Sequence, residues 1–201
     1  MPPERGLPAR NGALSQDLPD PAKLATGRLF FALWPDPAAA ALLEEAGRQR
    51  QAICGGRSMR RETLHLTLAF LGNVAIGRLD SLRQLAAAIR APAFTLRLDR
   101  LGCWHHIVWA GCRRTPAALA DLVGQLHGSL RQAGFPIEAR PFAAHVTLLR
   151  NARCDARPEL PPSLPPITWH AMEFVLAVSQ ASPSGAGYAS IGRWTLAPPI
   201  D

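Results

Sequence analysis

Several things are scarce in this chain, and each scarcity closes off a class of protein. The four cysteines, Cys54, Cys103, Cys112 and Cys154, include no C-x-x-C pair. That spacing gives neither a zinc ribbon nor a disulfide framework, so they read as ordinary reduced thiols. Charged residues make up 18% of the chain against 48% hydrophobic, and mean hydropathy is +0.02. This is the balance of a soluble globular protein and not of a disordered one. The first 27 residues contain no apolar stretch of signal-peptide length, and the longest uncharged run near the other end is rich in Ser, Gly and Pro. Neither secretion nor a membrane span is therefore expected, and the cytoplasm is the expected location. No short tandem period recurs, which argues against a solenoid.

What is present fits one ordinary domain, or two small lobes sharing a core, in 201 residues. The formal charge is +7 with a pI of about 10.5, and arginine far outnumbers lysine. Such a charge favours a polyanionic partner, nucleic acid or a phosphorylated ligand, although a coding bias toward arginine produces the same excess.

Residues 1–27 mix proline, glycine and charge without periodicity and read as a mobile tail, with the fold beginning at Arg28. A first strand is expected over 28–33, after which Asp36-Pro37 supplies an N-cap and a proline at the first helical position. Gly55-Gly56 stops that helix. A strand over 63–70 ends at Leu71-Gly72-Asn73, and Ile76, Leu79, Leu82, Leu85 and Ile89 then recur at helical spacing. Strands over 93–101 and 107–110 follow. Thr115-Pro116 is expected to cap a helix with Leu119, Leu122, Val123, Leu126 and Leu130 on one face, stopped at Gly134. The last third gives a strand over 144–149, a proline-rich connector over 158–166, and strands over 168–179 and 188–196. The pattern suits a duplicated α+β unit with two related lobes.

The two stretches LHLTLAFLGN and AHVTLLRN, eighty positions apart, each contain His-x-Thr-Leu. Side chains alternate along a strand, so His65 and Thr67 share one face, and His145 and Thr147 share another. If the apolar residues between them enter lobe cores, the two polar faces meet across a cleft. Two imidazoles flanking one phosphorus suit in-line displacement, which needs a base on the attacking side and an acid on the departing side. With an unperturbed pKa near 6.5, histidine serves either role without a metal. A lone His-x-Thr is more often a structural hydrogen bond. Two copies, each in an expected strand, argue for chemistry. Neither motif has a carboxylate nearby to complete a metal site, and Cys103 with His105-His106 would make at most an isolated surface site.

On these residues the chain resembles the RNA 2′,3′-cyclic phosphodiesterases, the LigT-like or 2′-5′ RNA ligase family of two-histidine phosphoesterases. RLFFALWP, LHLTLAFLGNV, PFAAHVTLLRNAR and SPSGAGYASIGRWTL stand in that family's order and span nearly the whole chain. The resemblance implies a bilobal α+β fold over 28–201, with two antiparallel sheets flanking a central cleft and helices outside. It implies metal-independent hydrolysis of a terminal 2′,3′-cyclic phosphate, on RNA 3′ ends or nucleotides, to the 2′-phosphomonoester, with no cofactor. His65 would be the general acid and His145 the general base, with Thr67 and Thr147 on the non-bridging oxygens. Arg150 matches a basic residue of the second motif. Its alternation from His145 requires a strand-end twist or the next loop to bring it to the phosphate. A 2′-5′ RNA ligase or phosphodiesterase, or a non-catalytic RNA-end binder, is the alternative. Oligomeric state is not readable, with a monomer as the expectation.

Arg60 and Arg61 are further candidates to line the cleft, and Phe31 and Trp104 to stack on a base. Phe31 reads as a core residue as well. Tyr188 and Ser179 fit the closing pattern. Ala143-Ala144 stand where the family often places a proline before the second histidine.

Overall fold

The computed structural model describes residues 26–153, 163–182 and 185–198. Nine strands and three α-helices follow in the order β1 (Thr26–Leu33), α1 (Pro37–Cys54), β2 (Arg57–Ser58), β3 (Leu66–Ala75), α2 (Leu79–Ala88), β4 (Phe94–Trp104), β5 (Ile107–Gly111), α3 (Ala117–Gln132), β6 (His145–Arg150), β7 (Ser163–Ala171), β8 (Glu173–Ser182) and β9 (Gly185–Thr195). Short 3-10 turns at Arg61–Thr63 and Ile76–Arg78 precede β3 and α2. The expected tail over 1–27 lies outside the described residues, apart from Thr26 and Gly27, which open β1.

Local chemistry explains the first helix. Asp36 accepts a hydrogen bond from the Ala39 N–H at 2.8 Å, Pro37 fills the first turn, and Gly55 closes the helix at φ +63°. The expected Thr115 cap of α3 is not formed. Pro116 occupies the cap position without a side-chain bond, while the expected apolar face of α3 is buried throughout.

Eight strands run in the order β7-β4-β5-β6-β3-β1-β8-β9, with β2 added beside β6, and every strand pairing in this sheet is antiparallel. Among the described residues, two four-stranded halves of the sheet pair only where Leu66 stands opposite Val146. The lobes of the expected fold are thus present, but as halves of one continuous sheet and not as two separate sheets. Two of the helices cross between them, α1 following β1 yet packing on β6 and β7 and α3 following β5 yet packing on β3, while α2 stays with its own half, against β9 and α3. The helices and one sheet face enclose the main core, where Leu66, Leu68, Val146 and Leu148 are at most 2% exposed. Burial of such side chains stabilises the fold by about 1.5–3 kcal/mol each. A small second cluster, Phe30, Ala32 and Ala177 with Trp34 and Tyr188 against it, sits on the other face.

Several boundaries differ from expectation for physical reasons. β3 starts at Leu66 because residues 61–63 turn as 3-10 helix, and it runs on past Gly72, where φ of +67° and a register shift carry the strand to Ala75. The single strand expected over 168–179 is two strands broken at Met172, β7 at the edge of one half and β8 inside the other, between β1 and β9. Within the expected proline-rich connector, residues 158–162 lie outside the described part, and Pro165-Pro166 belong to edge strand β7, where a missing N–H is tolerated. Cys103 is disulfide-bonded, correcting the expectation of four reduced thiols, whereas Cys54 and Cys112 are free. Sequence spacing carries no signal for a bond that the fold itself brings about.

Candidate active site

The one register pair joining the halves also assembles the site. With Leu66 opposite Val146, the antiparallel register sets His65 against Thr147 and Thr67 against His145. All four side chains line a cavity of about 170 Å³ together with Met59, Thr63, Ile107 and Arg150. Each histidine is half-buried, and each is oriented in the same way. Nδ1 of His65 donates to the Thr63 carbonyl at 2.7 Å, and Nδ1 of His145 donates to the Ala143 carbonyl at 2.7 Å. A carbonyl only accepts, so Nδ1 holds a proton in both rings and Nε2 is the ring nitrogen not committed to that bond.

Aromatic rings back both imidazoles. Trp34 stacks on His65 at 5.3 Å between centroids, Phe30 lies at 5.0 Å, and Tyr188 meets it edge-on at 4.9 Å. Trp104 meets His145 edge-on at 5.0 Å. Burial pushes the His65 pKa down to about 4; the bond to the Thr63 carbonyl works against this, and the positive charges of Arg150 and His145 add to it. His65 is therefore neutral near pH 7.

A matched pair of β-bulges completes the geometry. On β3 the pairing passes from Thr67 to Ala69, and on β6 from Thr147 to Leu149, leaving Leu68 and Leu148 as the extra residues. The carbonyl freed at each bulge is satisfied from outside the ladder: His127 Nε2 donates to Leu68 at 2.8 Å, and the Met59 N–H donates to Leu148 at 2.8 Å. Each bulge shifts the alternation by one residue. Arg150 thereby reaches the cleft face despite standing five positions after His145, and the corresponding residue of the first motif, Phe70, does the same at 45% exposure.

The remaining expectations divide. Arg60 lines the cleft and is ion-paired with Glu62 at 3.2 Å. Arg61 turns away to bind Glu44 on α1 through Nε at 3.0 Å and Nη2 at 2.6 Å. Phe31 is fully buried against Phe174 and Trp194, which corrects its candidacy for base stacking. Trp104 lines a larger cavity of about 480 Å³ beside His145, along with Phe70, His105 and Phe142. Ser179 and Tyr188 line a third cavity, next to His65. Sequence reasoning missed Arg28 and Arg57, which also line that third cavity; in an arginine-rich chain neither has a distinguishing local signal. Phe70 was findable, because it repeats the spacing of Arg150 from its own histidine. Among the described residues, no group of three or more His, Cys, Asp or Glu side chains is placed to hold a metal ion.

A family model described as LigT like Phosphoesterase matches residues 33–109. An RNA 2′,3′-cyclic phosphodiesterase of Escherichia coli is 38% identical over 145 residues, covering 70% of this chain and 80% of that protein. A protein of the same name from Thermus thermophilus is 30% identical over 182 residues, covering 84% and 90%. Among solved structures, Escherichia coli LigT in its apo form superposes with a TM-score of 0.78 at 33% identity, covering 86% of this chain and 99% of that one. The same protein complexed with 3′-AMP gives 0.75 at 34%, covering 85% and 98%.

Proposed function

Because the chain belongs to the LigT-like phosphoesterase family, we propose that its paired His-x-Thr strands hydrolyse a 2′,3′-cyclic phosphate at the end of an RNA, or on a nucleotide, to the 2′-phosphomonoester. The observation that carries this reading is the cross-strand arrangement of His65, Thr67, His145 and Thr147 around one cavity. The phosphate sits between the two imidazoles, with the Thr67 and Thr147 hydroxyls donating to its non-bridging oxygens and Arg150 offsetting its charge. His145 Nε2 takes a proton from water as the water oxygen bonds to phosphorus. The P–O3′ bond breaks in line, and His65 Nε2 gives its proton to the departing 3′-oxygen. The product has a 2′-phosphate and a free 3′-hydroxyl.

A neutral His65 before substrate binds is compatible with its role as acid. The anionic substrate lies between Arg150 and the ring, offsets the guanidinium field that depresses the pKa, and favours the protonated imidazole as the complex forms. The two imidazoles supply both proton transfers, so no step calls for a metal or cofactor. The names of the relatives favour hydrolysis over the 2′-5′ ligase reading. The catalytic unit is a single bilobal domain that opens with β1 at Thr26, acting as a monomer. Among the described residues no helix is long and apolar enough to cross a membrane, and the proposed setting is the cytoplasm, on RNA ends.

The test is product analysis of a 2′,3′-cyclic-phosphate-ended oligonucleotide in EDTA with wild-type, His65→Ala and His145→Ala proteins. A 2′-phosphate product, lost by about 10²–10⁴-fold or more in both variants, is the expected result. Activity that needs an added divalent ion, or a folded wild type without turnover, overturns the reading.

A further inference from the structure

Positive charge is unevenly spread along the cleft. The cavity between the histidines has one arginine in its lining, Arg150, which matches the single negative charge of a cyclic phosphodiester. The adjoining cavity of about 280 Å³ shares His65, Thr67 and Arg150 with it and adds Arg28, Arg57 and Arg60, with no Asp or Glu in its lining. Arg60 leans on Glu62. Among the described residues no carboxylate is ion-paired with Arg28 or Arg57.

Both arginines are set by the sheet. Arg28 pairs with Asn73 on one side and Ser179 on the other, and its guanidinium lies over the Phe70 ring at 4.9 Å. Arg57 stands in β2 directly opposite Arg150. Guanidinium groups gathered without a counter-charge repel one another, and a bound anion relieves that repulsion. The charge exceeds what one cyclic phosphate neutralises. On a terminal nucleotide, the next anion is the phosphate on the 5′ side of the same ribose.

We propose that Arg28 and Arg57 form a subsite for this second phosphate, so that the enzyme selects terminal nucleotides phosphorylated on their 5′ side over nucleoside 2′,3′-cyclic phosphates. The proposal rests on the cyclic phosphodiesterase reading above and adds a direction to it. With the second phosphate beyond His65, the ribose lies between the two phosphates on the His65 side. The 3′-oxygen then leaves toward His65, and water attacks from the side of His145. A second anion beside His65 also further favours its protonated form.

Binding of adenosine 2′-monophosphate and adenosine 2′,5′-bisphosphate, measured by calorimetry, tests the subsite without relying on turnover. The bisphosphate is expected to bind about tenfold tighter or more. Arg28→Gln and Arg57→Gln each shrink that advantage severalfold or more, Arg57→Lys retains part of it, and Arg48→Gln, on the outer surface of α1, keeps it whole. In turnover, adenosine 2′,3′-cyclic phosphate bearing a 5′-phosphate, and a trinucleotide ending in the cyclic phosphate, should both exceed the unphosphorylated nucleoside in kcat/KM, mainly through KM. A preference for the 5′-phosphorylated mononucleotide without one for the trinucleotide would identify the phosphomonoester as the group selected; a shared preference would identify the 5′-side phosphate of RNA. Equal affinities in the wild type, or an advantage that survives both glutamine substitutions, overturns the subsite. A bisphosphate advantage in a protein that turns over no cyclic phosphate would sink the reaction while supporting the subsite.

Discussion

Two neighbouring glycines separate backbone strain from displacement of Arg150, the arginine proposed to hold the phosphate. Gly55 and Gly56 have φ of +63° and +82°, a region where alanine costs about 1–3 kcal/mol. A β-carbon added at Gly55 meets nothing within 4 Å, whereas one at Gly56 would lie 2.6 Å from the Arg150 carbonyl oxygen and 2.9 Å from Ala152 N and Cα. Those are backbone atoms, so no side-chain rotation relieves the overlap. The 150–152 segment is tied down on three sides, by the Arg57–Arg150 pairing, by Ala152 N–H to the His106 carbonyl at 2.9 Å, and by Arg153 N–H to the Cys54 carbonyl at 2.8 Å. Gly56→Ala therefore adds about 1–3 kcal/mol of overpacking or shifts that segment and Arg150 with it. Gly55→Ala should lower Tm by several degrees and leave kcat/KM for a cyclic phosphate within about twofold of wild type. Gly56→Ala should lower Tm further and reduce kcat/KM about tenfold or more, chiefly through KM, as loss of a charge-assisted contact requires. Thermal unfolding and initial rates on both variants decide it. A Gly56→Ala protein with the Tm of Gly55→Ala and a wild-type KM would refute the steric argument.

Three other outcomes follow from the same geometry. Thr67→Ala and Thr147→Ala should each reduce kcat/KM less than either histidine-to-alanine change, since in the proposed mechanism each hydroxyl positions the phosphate without transferring its proton; steady-state rates at fixed pH rank them. A β-carbon at Gly102 would stand 2.0 Å from the Trp109 ring, which packs on Trp104 at 4.4 Å between centroids. Gly102→Ala should therefore destabilise the protein by about 1–3 kcal/mol and lower kcat through disturbance of the rings behind His145, read by denaturant unfolding and rates. Because the folded-state pKa of His65 lies below the unfolded value of about 6.5, the unfolded chain takes up this proton first. Stability from His65 is complete above about pH 6.5 and is lost as pH falls through about 4. His65→Gln should flatten the pH dependence of unfolding between those values.

Much of the site was legible because its information is local. Alternation placed His65 with Thr67 and His145 with Thr147 on shared faces, and the repetition of the motif eighty residues apart signalled a duplicated strand. The Asp36-Pro37 cap and the leucine face of α3 were legible for the same reason. What stayed hidden depends on partners distant in sequence. Strict alternation points Arg150 away from His145, and only the bulge at Leu148, whose carbonyl is taken up by Met59, restores it to the cleft. Arg61 looked equivalent to its neighbour Arg60 until Glu44 of α1 captured it. The break at Met172 was masked by a continuous run of strand-forming residues, and nothing local reports that β7 and β8 belong to opposite halves of the sheet.

Two copies of His-x-Thr-Leu do not by themselves give a reaction a direction, and the two halves differ in charge two residues beyond each copy. The bulges deliver Arg150 to the cleft from β6 and Phe70 from β3, so the two halves present a cation and an aromatic ring at equivalent positions. Arg150 lowers the His65 pKa, behind the larger effect of burial. Arg150→Gln should therefore raise the His65 pKa from about 4 toward, but short of, the unperturbed 6.5, while Phe70→Ala removes no charge and should leave it in place. NMR titration of the His65 ring in the ligand-free proteins measures this directly, and the acid limb of kcat/KM should follow the same shift. If the His65 titration were unmoved in Arg150→Gln, the guanidinium would not be acting on the ring. If it rose fully to 6.5, burial would not be the dominant cause. An intermediate value is the outcome that makes the symmetry-breaking residue part of the machinery for moving protons as well as for holding the phosphate.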